Sequence, residues 1–129
     1  MRVSVLVLDG VFDSGLSVVL DTLATANDLA RESRRSSPFD VTVCGLARTA
    51  TTAQGLRVSL APATAGARPD VVIVPALGCK TRETILTALE RRDVADACSL
   101  LRAWSKAGTR VLGACTSTFE IRYFDPFSL

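Results

Sequence analysis

Residues Asp70–Ala76 read DVVIVPA, an apolar run with no polar residue alternating through it. A strand of that kind has to be covered on both faces, which is the condition of a parallel sheet between layers of helix. Residues Arg2–Leu8 (RVSVLVL) make a second such run, ended by Asp9-Gly10. Two buried strands of this type commit the chain to an α/β architecture.

The stretches between strands carry helical spacing. Leu16, Val19, Leu20, Leu23, Ala26 and Ala30 fall on one face of an amphipathic helix, with Asp13 or Ser14 as its expected N-cap. Ser36-Ser37-Pro38 closes that connection, and Phe39–Gly45 follows as the second strand. The Thr- and Ala-rich stretch Leu46–Leu60, with Gly55, is expected as a small hairpin or irregular excursion. Thr81–Glu90 and Val94–Ala107 have helical periodicity, broken near Arg91–Asp93, and Gly108 suits a helix C-cap. Thr109–Ala114 is the fourth strand. Strands joined by helices take right-handed crossovers. The expected order is 2-1-3-4, with a Rossmann-type order as the alternative. Ligands of such sheets gather outside the carboxyl ends of the strands. Here that rim is Asp9–Ser14, Ala76–Lys80 and Cys115–Thr118.

With 129 residues the chain suits one domain, and 48% apolar with 22% charged residues is ordinary globular composition. A net charge of +2 from 15 basic and 13 acidic residues gives no basic footprint for nucleic acid. Arg31, Arg34 and Arg35 cluster where a helix ends, which complements the helix dipole. No apolar run could span a bilayer. The N-terminus reads as a strand rather than a signal peptide, so the expected location is the cytoplasm.

Of the four cysteines, none forms a C-x-x-C pair, so no zinc site is expected. Cys44 and Cys98 suit buried core positions. The chain has no histidine, which removes Ser-His-Asp and Cys-His catalysis and His-ligated metal. No cofactor is implied.

Gly113-Ala114-Cys115-Thr116-Ser117 follows a strand and should open a helix. A nucleophile elbow needs small neighbours because its turn is tight. A helix N-terminus would favour a thiolate at Cys115. The amide of Thr116, with one from the Ala76–Gly78 loop, could form an oxyanion hole or bind a ligand, which makes Leu77, Gly78 and Thr116 the candidate binding residues. The alternative is an inert cysteine at a strand end.

The segments VLVLDGVFDSGLSVVLDTLATAND, RPDVVIVPALG and AGTRVLGACTSTF, in this order and spacing over residues 1–119, resemble the ThiJ/PfpI branch of the class I glutamine-amidotransferase-like superfamily. The chain is most similar to the N-terminal domain of AraC-type transcriptional regulators of that branch. The resemblance implies a flavodoxin-like doubly wound parallel sheet in three α/β/α layers, cut short after the elbow. It also implies a homodimer, with Cys115 at the elbow position. Enzymes of this superfamily place a carboxylate from the first strand–helix turn beside the cysteine. That position falls on Gly15 here, and Asp13, two residues away, is the candidate acid/base, against an ordinary role as helix N-cap. Thr116 stands where many members have His, Ser117 replaces the elbow's later Gly, and Ala76-Leu77-Gly78 replaces a Gly-Gly loop.

The family domain is expected over residues 1–119. Residues 120–129 form an atypical tail: four of the chain's seven aromatic residues lie in Phe119–Leu129. A truncation, a frameshift or a cloning artefact would each produce such an end. The expected function is a ligand-sensing or dimerisation domain of an AraC-type regulator. Such a domain takes a small-molecule ligand and reaches DNA only through a helix-turn-helix domain absent from this chain. A cysteine-dependent hydrolase or hydratase, with Cys115 as nucleophile and Asp13 as its partner, is the alternative, and the missing histidine weighs against it.

Overall fold

A computed structural model describes residues 1–114. Five strands form one sheet and two more form a hairpin beside it. The first strand, β1 (Arg2–Leu6), lies at the centre of the sheet, and Val3, Val5 and Leu6 are all buried. Helix α1 (Asp13–Glu32) follows and returns the chain to β2 (Asp40–Gly45), which pairs parallel to β1. The stretch Leu46–Leu60 does contain a hairpin: β3 (Thr49–Thr51) pairs antiparallel to β4 (Arg57–Ser59). A two-residue strand not foreseen in the sequence, β5 (Ala61–Pro62), then pairs parallel to β2. Its proline lacks an N–H, so such a strand suits a sheet edge.

The chain crosses to β6 (Val71–Val74), which pairs parallel to β1 on its other side. Two helices follow, α2 (Arg82–Leu89) and α3 (Arg92–Lys106). Thr81 and Thr84 form a reciprocal capping box at the start of α2. Arg91, with extended backbone, is the break between the helices. Gly108 adopts φ +100° just past the end of α3, the left-handed conformation that lets the chain reverse. The last strand, β7 (Arg110–Gly113), pairs parallel to β6.

The sheet order is β5-β2-β1-β6-β7. The four long-range strands therefore take the doubly wound 2-1-3-4 order, with β5 added outside. The crossover through α1 runs one way along the sheet and that through α2 and α3 runs the other. Right-handedness then puts them on opposite faces. The core divides accordingly. Val5, Val7, Val11, Leu16 and Ala50 pack on the α1 side, with Val19, Leu20 and Leu23 partly buried against them. Leu6, Val72, Val74, Leu77, Val94, Leu101 and Trp104 pack on the other. Trp104 is the largest fully buried side chain, and its indole N–H donates to the Thr64 carbonyl at 3.1 Å. Cys44 and Cys98 are both buried, as their positions in the sequence suggested. Burial pushes the Cys44 thiol pKa up, and a hydrogen bond with Ser4 partly offsets it.

One local expectation is corrected. Neither Asp13 nor Ser14 caps α1. The N-cap residue is Phe12, with no side-chain cap, and Asp13 is the first helical residue. Its carboxylate still lies in the first turn, where it suits the helix dipole, but its hydrogen bonds go elsewhere in the fold. Among the described residues, no helix is long and apolar enough to cross a membrane.

Candidate functional site at the carboxyl rim

The chain leaves β1 through Val7 and Leu8 and turns at Asp9-Gly10. Gly10 has φ +81°, which a side chain would strain. This turn is zipped to the loop after β6. Val11 bridges Leu77, Phe12 N donates to the Ala76 carbonyl at 2.8 Å, and Gly78 N donates to the Gly10 carbonyl at 2.8 Å. Ala114 N donates to the Val74 carbonyl at 3.2 Å, so the last described residue also sits at the carboxyl end of β6. Two of the three rim segments named from the sequence therefore meet. Cys115 and Thr116, the proposed nucleophile and oxyanion donor, lie outside the described residues, as does the boundary between residues 119 and 120.

The β3–β4 hairpin is fastened onto the same turn. Gly10 N donates to the Thr51 carbonyl at 2.8 Å, and Thr51 N donates to Asp9 Oδ1 at 2.9 Å. Ala53 N donates to the Val11 carbonyl at 2.9 Å. Thr52 Oγ1 donates to Asp13 Oδ2 at 2.5 Å, and Gln54 N donates to Asp13 Oδ1 at 3.1 Å. Both Asp13 oxygens thus hold the hairpin. The sequence showed no pattern linking Asp13 to a stretch about forty residues away. A proton-transfer role for Asp13 would compete with these two bonds.

Leu77 and Gly78 are placed with different consequences. The Leu77 side chain is buried among the core residues facing α3. Gly78 sits where the hairpin tip closes on the rim: a Cβ there would stand 2.7 Å from the Ala53 Cβ. Its amide is the one given to Gly10, so in this arrangement it serves loop packing rather than an oxyanion.

Arg91 is a rim residue that sequence reasoning read only as part of a helix break. Its Nε donates to Asp93 Oδ1 at 2.9 Å and its Nη2 to Asp93 Oδ2 at 2.5 Å. Nη2 also donates to the Asp9 carbonyl at 2.9 Å. Asp93 Oδ1 accepts in addition from Val94 N at 3.0 Å, inside the first turn of α3. The bidentate bond to Arg91 holds the Asp93 carboxyl below its usual range, and the same bond raises the Arg91 guanidinium. Arg91 so ties the α2–α3 junction to the β1–α1 turn. Cys79, half-buried in the loop after β6, contributes to the field at Arg91.

Among the described residues, no cluster of three or more His, Cys, Asp or Glu side chains could hold a metal ion. A cleft of about 200 Å³ lies away from the rim, toward the amino ends of β1 and β2. It is lined by Arg2, Ser4, Asp40, Thr42, Arg68 and Trp104 among others.

No protein-family model and no curated protein sequence matches the chain. Solved structures do. An AraC family transcriptional regulator from Pseudomonas putida superposes with a TM-score of 0.58 at 22% identity, covering 87% of this chain and 54% of that one. DJ-1beta from Drosophila melanogaster gives 0.66 at 17% identity, over 93% and 57%. A Vibrio parahaemolyticus protein, provisionally described as a transcriptional regulator, gives 0.72 at 20% identity, over 95% and 60%. The chain thus spans between 54% and 60% of the length of these structures. Its parallel sheet, its doubly wound order and its helices on both faces are the flavodoxin-like α/β fold of the DJ-1 and AraC-family regulator structures it matches.

Proposed function

We propose that this chain is the ligand-sensing or dimerisation part of an AraC-type transcriptional regulator that acts in the cytoplasm. DNA contact belongs to a domain outside the chain. The observation that carries this reading is the bonding of Asp13. Asp13, the candidate acid or base named from the sequence, accepts from Thr52 Oγ1 and Gln54 N and fastens the hairpin over the rim. With no histidine in the chain, a cysteine at residue 115 would then lack a ready proton acceptor. The likeness to an AraC-family regulator structure supports the same direction.

Under this reading the rim is a small-molecule pocket or a rigid scaffold, and Cys115 performs no chemistry. The test is turnover of p-nitrophenyl acetate, a simple amide and an isonitrile by the purified chain, beside Cys115→Ala. Equal rates for both proteins are expected. A rate lost in Cys115→Ala would overturn the reading in favour of a cysteine hydrolase or hydratase.

A further inference from the structure

The central strand β1 is apolar along its interior except at Ser4. That serine is only 9% exposed and shares a hydrogen bond with the Cys44 thiol. A hydroxyl inside a sheet is costly unless it finds partners. Strand register sets Thr42 directly beside Ser4, so β1 and β2 present two hydroxyls side by side on the α3 face. Both line the cleft of about 200 Å³ at the amino ends of these strands. Cys44 and Trp104, each buried, form its apolar base.

The far wall of the cleft is the crossover from β5 to β6, and it is fastened along its length. Ala63 N donates to the Gly45 carbonyl at 2.9 Å, and the Trp104 indole donates to the Thr64 carbonyl. Arg68 Nη1 donates to the Ala107 carbonyl at the end of α3. Thr109 Oγ1 donates to the Pro69 carbonyl at 2.7 Å. The wall is thus tied to β2, α3 and the start of β7, which makes the cleft a pre-formed one. Its charges are arranged across it. Arg2 is matched by Asp70, 3.6 Å away. Asp40, on the β2 side, and Arg68, on the crossover, also line the cleft. Neither forms an ion pair among the described residues.

We infer that this cleft binds a free α-amino acid with a short side chain, its ammonium group on Asp40 and its carboxylate on Arg68. Strands β2 and β6 flank β1, so the two walls stand two strand spacings apart, or ~10 Å. That span leaves room between the Asp40 and Arg68 side chains for a head group carrying one charge of each sign. A simple carboxylate would set a second negative charge against Asp40, and a simple amine would leave Arg68 unmatched. Only the zwitterion meets both with charge-assisted bonds. The Ser4 and Thr42 hydroxyls lie beneath the head group and serve either end of it. A volume below the ~300 Å³ at which ordinary ligand pockets begin restricts the side chain to one about as large as that of alanine or serine. This binding does not depend on what Cys115 does.

The test is titration of the ¹⁵N-labelled full chain with L-alanine and L-serine, followed by amide chemical shifts. Propionate and isopropylamine, which each keep one half of the head group, are the control ligands. Saturable shifts are expected at residues 2–4, 40–44 and 62–69, with a Kd of ~1 mM or below for at least one of the amino acids. Asp40→Asn and Arg68→Gln should each weaken it about tenfold or more, the loss of one bond to a charged group. Both residues are exposed, so the spectra should keep the parent's dispersion. Glu83→Gln, on the exposed face of α2, should leave the affinity unchanged. No saturable shift with either amino acid would overturn the inference. So would shifts confined to residues 9–14 and 76–80, equal affinity for propionate or isopropylamine, or an unchanged Kd in both cleft variants.

Discussion

Thr52 Oγ1 and Asp13 Oδ2 stand 2.5 Å apart, joining the tip of the β3–β4 hairpin to the first turn of α1. The same threonine hydroxyl accepts from Leu56 N at 3.0 Å, so one side chain closes the hairpin and anchors it. A hydrogen bond to a charged group contributes about 1.5–3 kcal/mol. Because Asp13 is part-exposed, the lower end applies. Thr52→Val should destabilise the chain by about 1–2 kcal/mol in urea unfolding. It should also speed amide exchange at residues 49–59 far more than in the central sheet. Unchanged exchange in the hairpin would mean that this bond does not anchor it.

Gly78 makes a separable prediction. A methyl group there would meet the Ala53 Cβ at 2.7 Å, closer than carbon atoms approach. Overpacking of this kind costs about 1–3 kcal/mol. Gly78→Ala should lower stability by that amount, and Ala53→Gly in the same chain should restore most of it, because the clash has two partners. A double variant no more stable than Gly78→Ala would place the strain elsewhere.

The Arg91–Asp93 pair sets an acid dependence. Its bond holds the Asp93 carboxyl below the usual range, so the folded chain keeps the charged form to lower pH than the unfolded chain. The stabilisation is fully present above the unfolded carboxylate value of about 3.9 and is lost as pH falls through the lower folded value. Side chains 31% and 36% exposed are screened by water, so the loss should stay below about 1 kcal/mol. Unfolding midpoints between pH 7 and pH 2 should therefore fall less steeply for Asp93→Asn than for the parent at the acid end. Parallel curves would show that the pair contributes nothing.

Cysteine reactivity should rank by burial and field. Cys44 is buried and its thiol is pushed up, so it should alkylate slowest, with Cys98 also slow. Cys115 should be fastest if a helix N-terminus follows it. Mass-mapped iodoacetamide labelling at graded pH reads the order, and equal rates at Cys44, Cys98 and Cys115 would remove the elbow.

Much of this fold was legible because its signals are local. The apolar run at Asp70–Ala76 announced a doubly covered strand, and the spacing from Leu16 to Ala30 announced α1. What stayed hidden is nonlocal. Asp13 has strong intrinsic capping preference, yet Thr52 and Gln54 draw its carboxylate away, so tertiary partners outweighed local propensity. Arg91 is the helix break its position suggested, but its bond to the Asp9 carbonyl, 82 residues away, left no local signal. Ala61–Pro62 was too short to register as a strand, and only the open edge of β2 makes it one. The rim residues Leu77 and Gly78 were found by position, but their burial and bonding could not be read from sequence.

The central claim is that this α/β chain is part of a regulator, and the reading frame downstream of the codon for Leu129 tests it most directly. The account predicts a frame that continues, directly or after one shift, into a helix-turn-helix domain. A locus that encodes no DNA-binding domain in any frame after this segment would contradict it.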